Sequence, residues 1–192
     1  MPSLLHRIQF DNDETAFREF YKENVFKLFQ FAFAFVHNKE LAEEIVNDVF
    51  LRLWQKRGTL DTIDNLNVYL YVAVKNTASN YLRKDMRRKL PDLDNLTVSH
   101  FYLSPDPEQA MITDELRKTI EQSVNQLPPR CKLIFKLVKE DGLSGNEVAS
   151  ILRLSYKTVN AQLAIALKKL EQDLQPSLRE YHLKPGRDRS FS

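Results

Sequence analysis

The sequence predicts an all-α protein: two small helical domains joined by a flexible linker, the C-terminal one containing a helix-turn-helix. Long stretches repeat their apolar residues every 3.6 positions, and almost none alternates with the period of 2 that a strand requires. Gly accounts for only 4 of 192 residues, too few for the turns of a sheet.

The first helix is expected from about Asp13 to Val36, with Asp11 and Glu14 marking its start. Phe17, Phe20, Tyr21, Val25, Leu28, Phe29, Ala32 and Phe33 form its packing side. A second helix from about Lys39 to Lys56 buries Ala42, Ile45, Val46, Val49, Phe50 and Leu53, with Trp54 at the edge. An exposed loop with Gly58, Thr59, Asp61 and Asn65 leads to a third, from about Leu66 to Lys89, packing through Leu70, Val74, Ala78, Tyr81 and Leu82. These make a three-helix bundle over residues 1–89.

Residues 90–105, LPDLDNLTVSHFYLSP, have Pro near both ends, no helical period and no Lys or Arg, and read as the linker. The second domain, 106–174, opens on Asp106-Pro107 with Gln109 as capping-box partner, giving a helix to about Gln126. Pro128-Pro129 starts another, ending near Asp141-Gly142. Ser144 and Glu147 then form an S-x-x-E capping box, and Val148, Ala149, Ile151 and Leu152 give the short helix one apolar side. The pattern breaks at Arg153 and Leu154, and Ser155 caps a last helix to about Leu174. Residues 175–192, broken by Pro and Gly, read as a mobile tail.

Composition narrows the function. Cys131 is the only cysteine and lies in the apolar run CKLIFKLV, so it reads as a buried structural thiol in a reducing compartment. No segment has the roughly 18 apolar residues of a membrane span, and MPSLLHRIQFDNDE lacks a signal peptide's apolar core, so the expected location is the cytoplasm. His6, His37, His100 and His182 are scattered, with no H-E-x-x-H, paired Cys or phosphate-cradling Gly loop. No enzyme activity, catalytic residue, metal or cofactor is assigned. A net charge of +2 means that any DNA affinity is local or assisted: the basic clusters are Arg83, Lys84, Arg87, Arg88 and Lys89, and Lys157, Lys168 and Lys169.

Three helix faces carry the functional signal. On the second helix, Glu44, Asn47, Asp48 and Gln55 surround Leu51, which fits either a protein interface or a scattered surface residue. On the third, Tyr69, Asn76, Asn80, Arg83 and Arg87 line up, combining a ring that can stack on an unpaired base, amides for base edges and guanidinium groups for phosphates. On the last, Tyr156, Val159, Leu163, Ala166, Leu167 and Leu170 pack, whereas Lys157, Asn160, Ala161, Ala164 and Lys168 face outward with small residues that allow a close approach to bases. The last two helices alone fit an ordinary α-hairpin as well.

The motifs EEIVNDVFLRLWQKR, NVYLYVAVKNTASNYLRKDMRR and the helix-turn-helix with KTV after its turn occur in this order, and the chain resembles bacterial RNA polymerase sigma factors of the sigma-70 family. Its size and coverage, about Glu14 to Leu174, resemble the extracytoplasmic-function (ECF) group, including its iron-citrate-uptake type. The resemblance implies a transcription initiation factor that guides core RNA polymerase to promoters. It implies that Glu44, Asn47, Asp48 and Leu51 bind the β′ clamp helices. Asn65, Tyr69, Asn76, Asn80, Arg83, Lys84 and Arg87 would take melted minus-10 DNA. Ser155, Tyr156, Lys157, Thr158, Asn160, Ala161, Ala164 and Lys168 would read the minus-35 duplex, in a domain that also docks on the β flap. An anti-sigma factor, which can be membrane-bound, would hold the monomer inactive. The chain departs from the family in carrying Tyr69 where Trp is common, Asn80 where Asp is frequent, Arg153 for the turn Gly and Asn160-Ala161-Gln162 for a more basic triplet. Promoter sequence therefore does not transfer from a relative. A conventional helix-turn-helix regulator, dimeric and polymerase-independent, is the alternative.

Overall fold

Asp13 shows how firmly local chemistry sets the first long helix: its Oδ1 accepts from the backbone N–H of Thr15 at 2.8 Å and of Ala16 at 3.0 Å. Those bonds and the Arg7 guanidinium hold its carboxyl below the usual carboxylate range. The structure, a computed structural model, describes residues 3–84, 90–99 and 114–183, which hold eight α-helices, two short 3-10 helices and no strand.

Helix α1 (Leu4–Phe10), absent from the sequence expectation, precedes α2 (Glu14–Val36). Seven residues are too few to show a period or to stand alone, and α1 is held by tertiary contacts, with Ile8 buried and Arg7 paired to Asp13 at 2.6 Å. Helix α2 ends at His37, in the left-handed region at φ 54°, and Asn38 caps α3 (Lys39–Gln55) by accepting from Leu41 N at 2.7 Å. This two-residue link makes α2 and α3 an antiparallel pair, joined by Phe17, Phe20 and Tyr21 around Phe50. The loop after α3 winds into a 3-10 helix (Arg57–Thr62) before α4 (Leu66–Lys84). The expected extension of α4 to Lys89 lies outside the described residues, as does Arg87.

In the C-terminal domain, α5 (Asp114–Asn125), α6 (Pro129–Lys139), α7 (Gly145–Leu152) and α8 (Tyr156–Leu183) follow the expected order, although the Asp106-Pro107 start lies outside the described residues. Helix α8 does not stop near Leu174: it continues through Pro176 to Leu183, so the expected tail begins as helix. Pro176 forfeits one backbone bond there without ending the helix. Val124, Leu127, Cys131, Phe135, Ala166 and Leu170 form a core within this domain. Burial pushes the Cys131 thiol pKa up, and its Sγ donates to the Gln162 carbonyl at 3.1 Å, the environment of a structural thiol.

The second half of α6 faces the other way. Leu133, Ile134 and Leu137, with Leu143, Val148 and Ile151, join the main core shared with α2, α3 and α4. The linker also takes part: it carries a 3-10 turn (Leu93–Asn95), buries Leu96, accepts at the Val98 carbonyl from Lys132 at 3.3 Å and pairs Asp94 with Arg130 at 3.8 Å. Residues 90–99 are thus laid against α6, and 100–105 lie outside the described residues.

Candidate partner and nucleic-acid interfaces

On α3, all six residues expected to pack are buried, and Leu51 stands 55% exposed among Glu44, Asn47 and Asp48. This polar arc is held from behind. The Tyr81 hydroxyl lies 2.8 Å from Asp48 Oδ2 and 3.0 Å from Glu44 Oε1, Arg52 reaches Asp48 at 3.4 Å, and the Tyr21 hydroxyl donates to Asn47 Oδ1 at 2.9 Å. The hydrogen bond to Asp48 is the main reason that the Tyr81 phenol is pushed up to about 12. Tyr81 was expected in the core with Leu70, Val74, Ala78 and Leu82; those four are buried, but Tyr81 is half-buried because its ring runs along α3 to the acids. Beside the arc, Tyr21, Val25, Phe26, Phe29 and Val46 line an apolar hollow of about 410 Å³.

On α4, Asn76, Asn80, Arg83 and Lys84 are exposed along one side, with Tyr69 half-buried at its start. The Arg83 guanidinium donates to Asn80 Oδ1. Asn80, Arg83 and Lys84 edge a hollow of about 400 Å³ that also includes Asp48 and Arg52, so the expected partner and minus-10 sets adjoin. Asn65 stands apart from them. It caps α4, accepting from Val68 N at 3.0 Å, while its amide donates to Glu147 Oε1 in the other domain.

In the helix-turn-helix, Ser144 Oγ accepts from Glu147 N and Glu147 Oε2 from Ser144 N at 2.6 Å, completing the capping box and holding the Glu147 carboxyl below its usual range. Arg153 makes the turn at φ 57°, the left-handed region that Gly usually supplies. Ser155 caps α8 through Thr158 N at 3.0 Å. Ser155, Lys157, Asn160, Ala161, Ala164 and Lys168 are exposed and Thr158 half-buried. Tyr156 and Leu167, expected on the packing side, are each 51% exposed, because the buried arc centres on Val159, Ala166 and Leu170, about 60 to 80° away at 100° per residue. The Tyr156 ring instead lies against Gly145, where a Cβ would come within 3.0 Å of it.

Two α4 residues escaped sequence reasoning. Tyr71 is 1% exposed, and its hydroxyl donates to Asp141 Oδ2 at 2.6 Å; Lys75 Nζ donates to the Ile151 carbonyl at 3.0 Å. At 100° per residue Tyr71 lies between Ala78 and Leu82 and Lys75 just beyond Leu82, so the period marks their side of α4; it does not show that the hydroxyl and the ammonium reach across to the C-terminal domain.

The Sigma-70 region 2 profile matches residues 20–88 and the Sigma-70, region 4 profile matches residues 117–170. The chain belongs to the sigma-70 family of sigma factors. It is 28% identical to the RNA polymerase sigma-H factor of Pseudomonas aeruginosa over 92% of this chain and 95% of that relative. It is 26% identical to the ECF RNA polymerase sigma-E factor of Escherichia coli K12 over 71% of this chain and 75% of the relative. Among solved structures, CnrH in complex with the cytosolic domain of CnrY aligns over 90% of this chain and 96% of that one, at 19% identity and a TM-score of 0.49. The sigma factor RpoE of Bartonella quintana, solved with the anti-sigma factor NepR, aligns over 82% and 98%, at 18% identity and a TM-score of 0.48. A sigma factor is a transcription initiation factor and not an enzyme.

Proposed function

We propose that this sigma factor of the extracytoplasmic-function group binds core RNA polymerase through Glu44, Asn47, Asp48 and Leu51 on α3, the β′ clamp helices being the partner. Asn65, Tyr69, Asn76, Asn80, Arg83, Lys84 and Arg87 take the melted minus-10 strand. The outer face of α8, with Ser155, Tyr156, Lys157, Thr158, Asn160, Ala161, Ala164 and Lys168, reads the minus-35 duplex from the major groove, and its domain docks on the β flap.

The observation that carries this reading is that the region 2 and region 4 profiles fall, in chain order, one on each domain. Each domain also presents an exposed polar helix face of the composition that its task needs. The polymerase then supplies much of the phosphate contact that a chain of net charge +2 lacks. The protein works in the cytoplasm, where its DNA and polymerase are, and no helix among the described residues is long and apolar enough to cross a membrane. An anti-sigma factor, soluble or membrane-bound, holds it inactive.

Run-off transcription with purified core polymerase, with and without the protein, tests this beside a gel shift of the protein alone. New specific transcripts that need both components are expected; DNA binding with no effect on core initiation would instead mark a conventional regulator. Asp48→Lys and Leu51→Asp should weaken core binding with the fold intact. Lys157→Ala and Asn160→Ala should lower minus-35 recognition without touching core affinity, and equal losses on unrelated DNA would show phosphate contacts only.

A further inference from the structure

We propose that Gln9 and Asn12, with Arg57 between them and α3, are positioning residues for promoter selection: they lock the loop ahead of α4 in one conformation, and with it the minus-10 contacts at the start of that helix. The lock stands on geometry alone; its bearing on selection rests on the sigma-factor reading.

The loop needs an outside hold. Its 3-10 helix (Arg57–Thr62) is not one continuous element, because Thr59 leaves helical geometry at φ −123° and ψ 22°, so two short turns meet at a kink. Bonds of the 3-10 type are poorly aligned and rarely sustain more than roughly three or four residues. Of these six residues only Leu60 is buried, which fastens the loop to the core at one point and leaves it free to pivot there.

Helix α1 supplies the missing hold. The Gln9 amide answers both backbone polarities and straddles the kink: its Nε2 donates to the Gly58 carbonyl at 3.2 Å on one side of Thr59, and its Oε1 accepts from Asp61 N at 3.1 Å on the other. Asn12 Oδ1 accepts from Arg57 Nε at 2.7 Å, and the same guanidinium donates to the Trp54 carbonyl at 2.8 Å and lies 4.3 Å over the Trp54 ring. One side chain thus ties the end of α3, the loop and the turn after α1 together. Asn12 stands at φ 51°, in the left-handed region that Asn tolerates better than most residues. Helix α1 has anchors of its own, since Ile8 is buried and Arg7 pairs with Asp13 at 2.6 Å. Gln9 and Asn12 are therefore spent on the loop and not on seating α1.

Only Ile63, Asp64 and Asn65 separate the held segment from α4. Leu70, Val74 and Ala78 fix the body of α4 in the core, whereas no residue of its first turn is fully buried, and Asn65, which caps that turn through Val68 N at 3.0 Å, is exposed. Asn65 and Tyr69 are the members of the minus-10 set nearest the loop, so the loop decides where they stand. A loop held in one conformation offers the strand one arrangement of contacts. A pivoting loop can shift to suit a wrong base, and discrimination falls.

The test pairs hydrogen exchange of the full chain with run-off transcription by the holoenzyme. The templates are one promoter and two variants of it, altered in the minus-10 or in the minus-35 element. The double variant Gln9→Met, Asn12→Gly removes the amide at 9 and the acceptor at 12, while keeping the length of the first side chain and the left-handed backbone of the second. Backbone amides of residues 57–65 should exchange several-fold faster while those of α2 and α3 stay protected. Discrimination against the altered minus-10 element should fall several-fold, with discrimination at the minus-35 element unchanged. Asn12→Asp, which keeps the acceptor for Arg57, should match the wild type in both readouts. Unchanged exchange over 57–65 in the double variant overturns the lock. Faster exchange with minus-10 discrimination intact overturns the role in promoter selection, and so do equal losses at both elements, which mark a general loosening. If the wild type yields no promoter-specific transcripts, the sigma-factor reading fails, while the exchange still decides the lock.

Discussion

The Asp141 carboxyl, bonded to Tyr71 of the other domain, should make the packing of the C-terminal domain on α2 and α4, the closed form, depend on pH, with a sign and size that follow from its surroundings. Burial is the main reason that its pKa is pushed up to about 6 from 3.8; nearby Glu140 adds to this, while the Tyr71 hydroxyl, Lys27 and Lys136 oppose it. The side chain returns to water when the domains part, so its pKa is higher closed than open. Protonation therefore favours the closed form: the gain is complete below about 3.8 and is lost as pH rises through about 6. Between pH 7.5 and pH 5, linkage with these two values gives a closing constant about tenfold larger at the lower pH, or about 1.4 kcal/mol. Resonance energy transfer between dyes at Gln55→Cys and Glu171→Cys, with Cys131→Ser, reports closure from exposed positions in the two domains. A Lys75→Met background loosens the seam so that both forms are populated. Asp141→Asn should flatten the pH dependence. A closing constant that stays level from pH 7.5 to 5, or a slope that survives Asp141→Asn, would refute the assignment.

Three further outcomes follow from local geometry. Tyr81→Phe takes the hydroxyl donor from the Glu44 and Asp48 carboxylates and leaves Asp48 with Arg52 alone, and core polymerase affinity should fall about threefold to tenfold in titrations at low salt, since a bond to a charged group is worth about 1.5–3 kcal/mol before solvent screening. Gly145→Val sets a branched side chain where even a Cβ meets the Tyr156 ring at 3.0 Å, so minus-35 duplex affinity of the holoenzyme should drop several-fold with core affinity unchanged. Arg153→Gly relieves a left-handed residue, a gain of about 1–2 kcal/mol offset by roughly half through the freer unfolded chain, so Tm should rise by about 2 °C in calorimetry.

Much of this fold is legible in the sequence because long helices advertise themselves. The six buried residues of α3, the Ser144–Glu147 capping box and the Ser155 cap follow from spacing and side-chain chemistry alone. The exposed faces of α4 and α8 were legible for the same reason: a polar residue opposite an apolar arc has nowhere else to point. What stayed hidden depends on distant chain. Tyr71 and Lys75 look like ordinary members of an amphipathic helix until Asp141 and Ile151, 70 and 76 residues away, are brought to them. Tyr81, an apolar residue by period, is drawn to the surface by two carboxylates on a neighbouring helix. Leu96 sits in a stretch without any period, yet is buried by α6. Helix α1 was invisible because its stability comes from contacts with α2 and the 3-10 helix.

That first short helix has a practical bearing. Gln9 of α1 is bonded at both ends of its amide to the loop ahead of α4, donating to the Gly58 carbonyl at 3.2 Å and accepting from Asp61 N at 3.1 Å, and Asn12 just beyond α1 receives Arg57 at 2.7 Å. A few residues ahead of α2 thus act as a splint on the loop that leads into α4, the helix proposed to take the minus-10 strand. Affinity tags are commonly placed at this end, and one that disturbs Ser3 to Asn12 would loosen that loop while the bundle stays folded. Such a preparation would look sound by every measure of shape and still choose its promoters less strictly, whereas a tag on the far end would leave the splint intact.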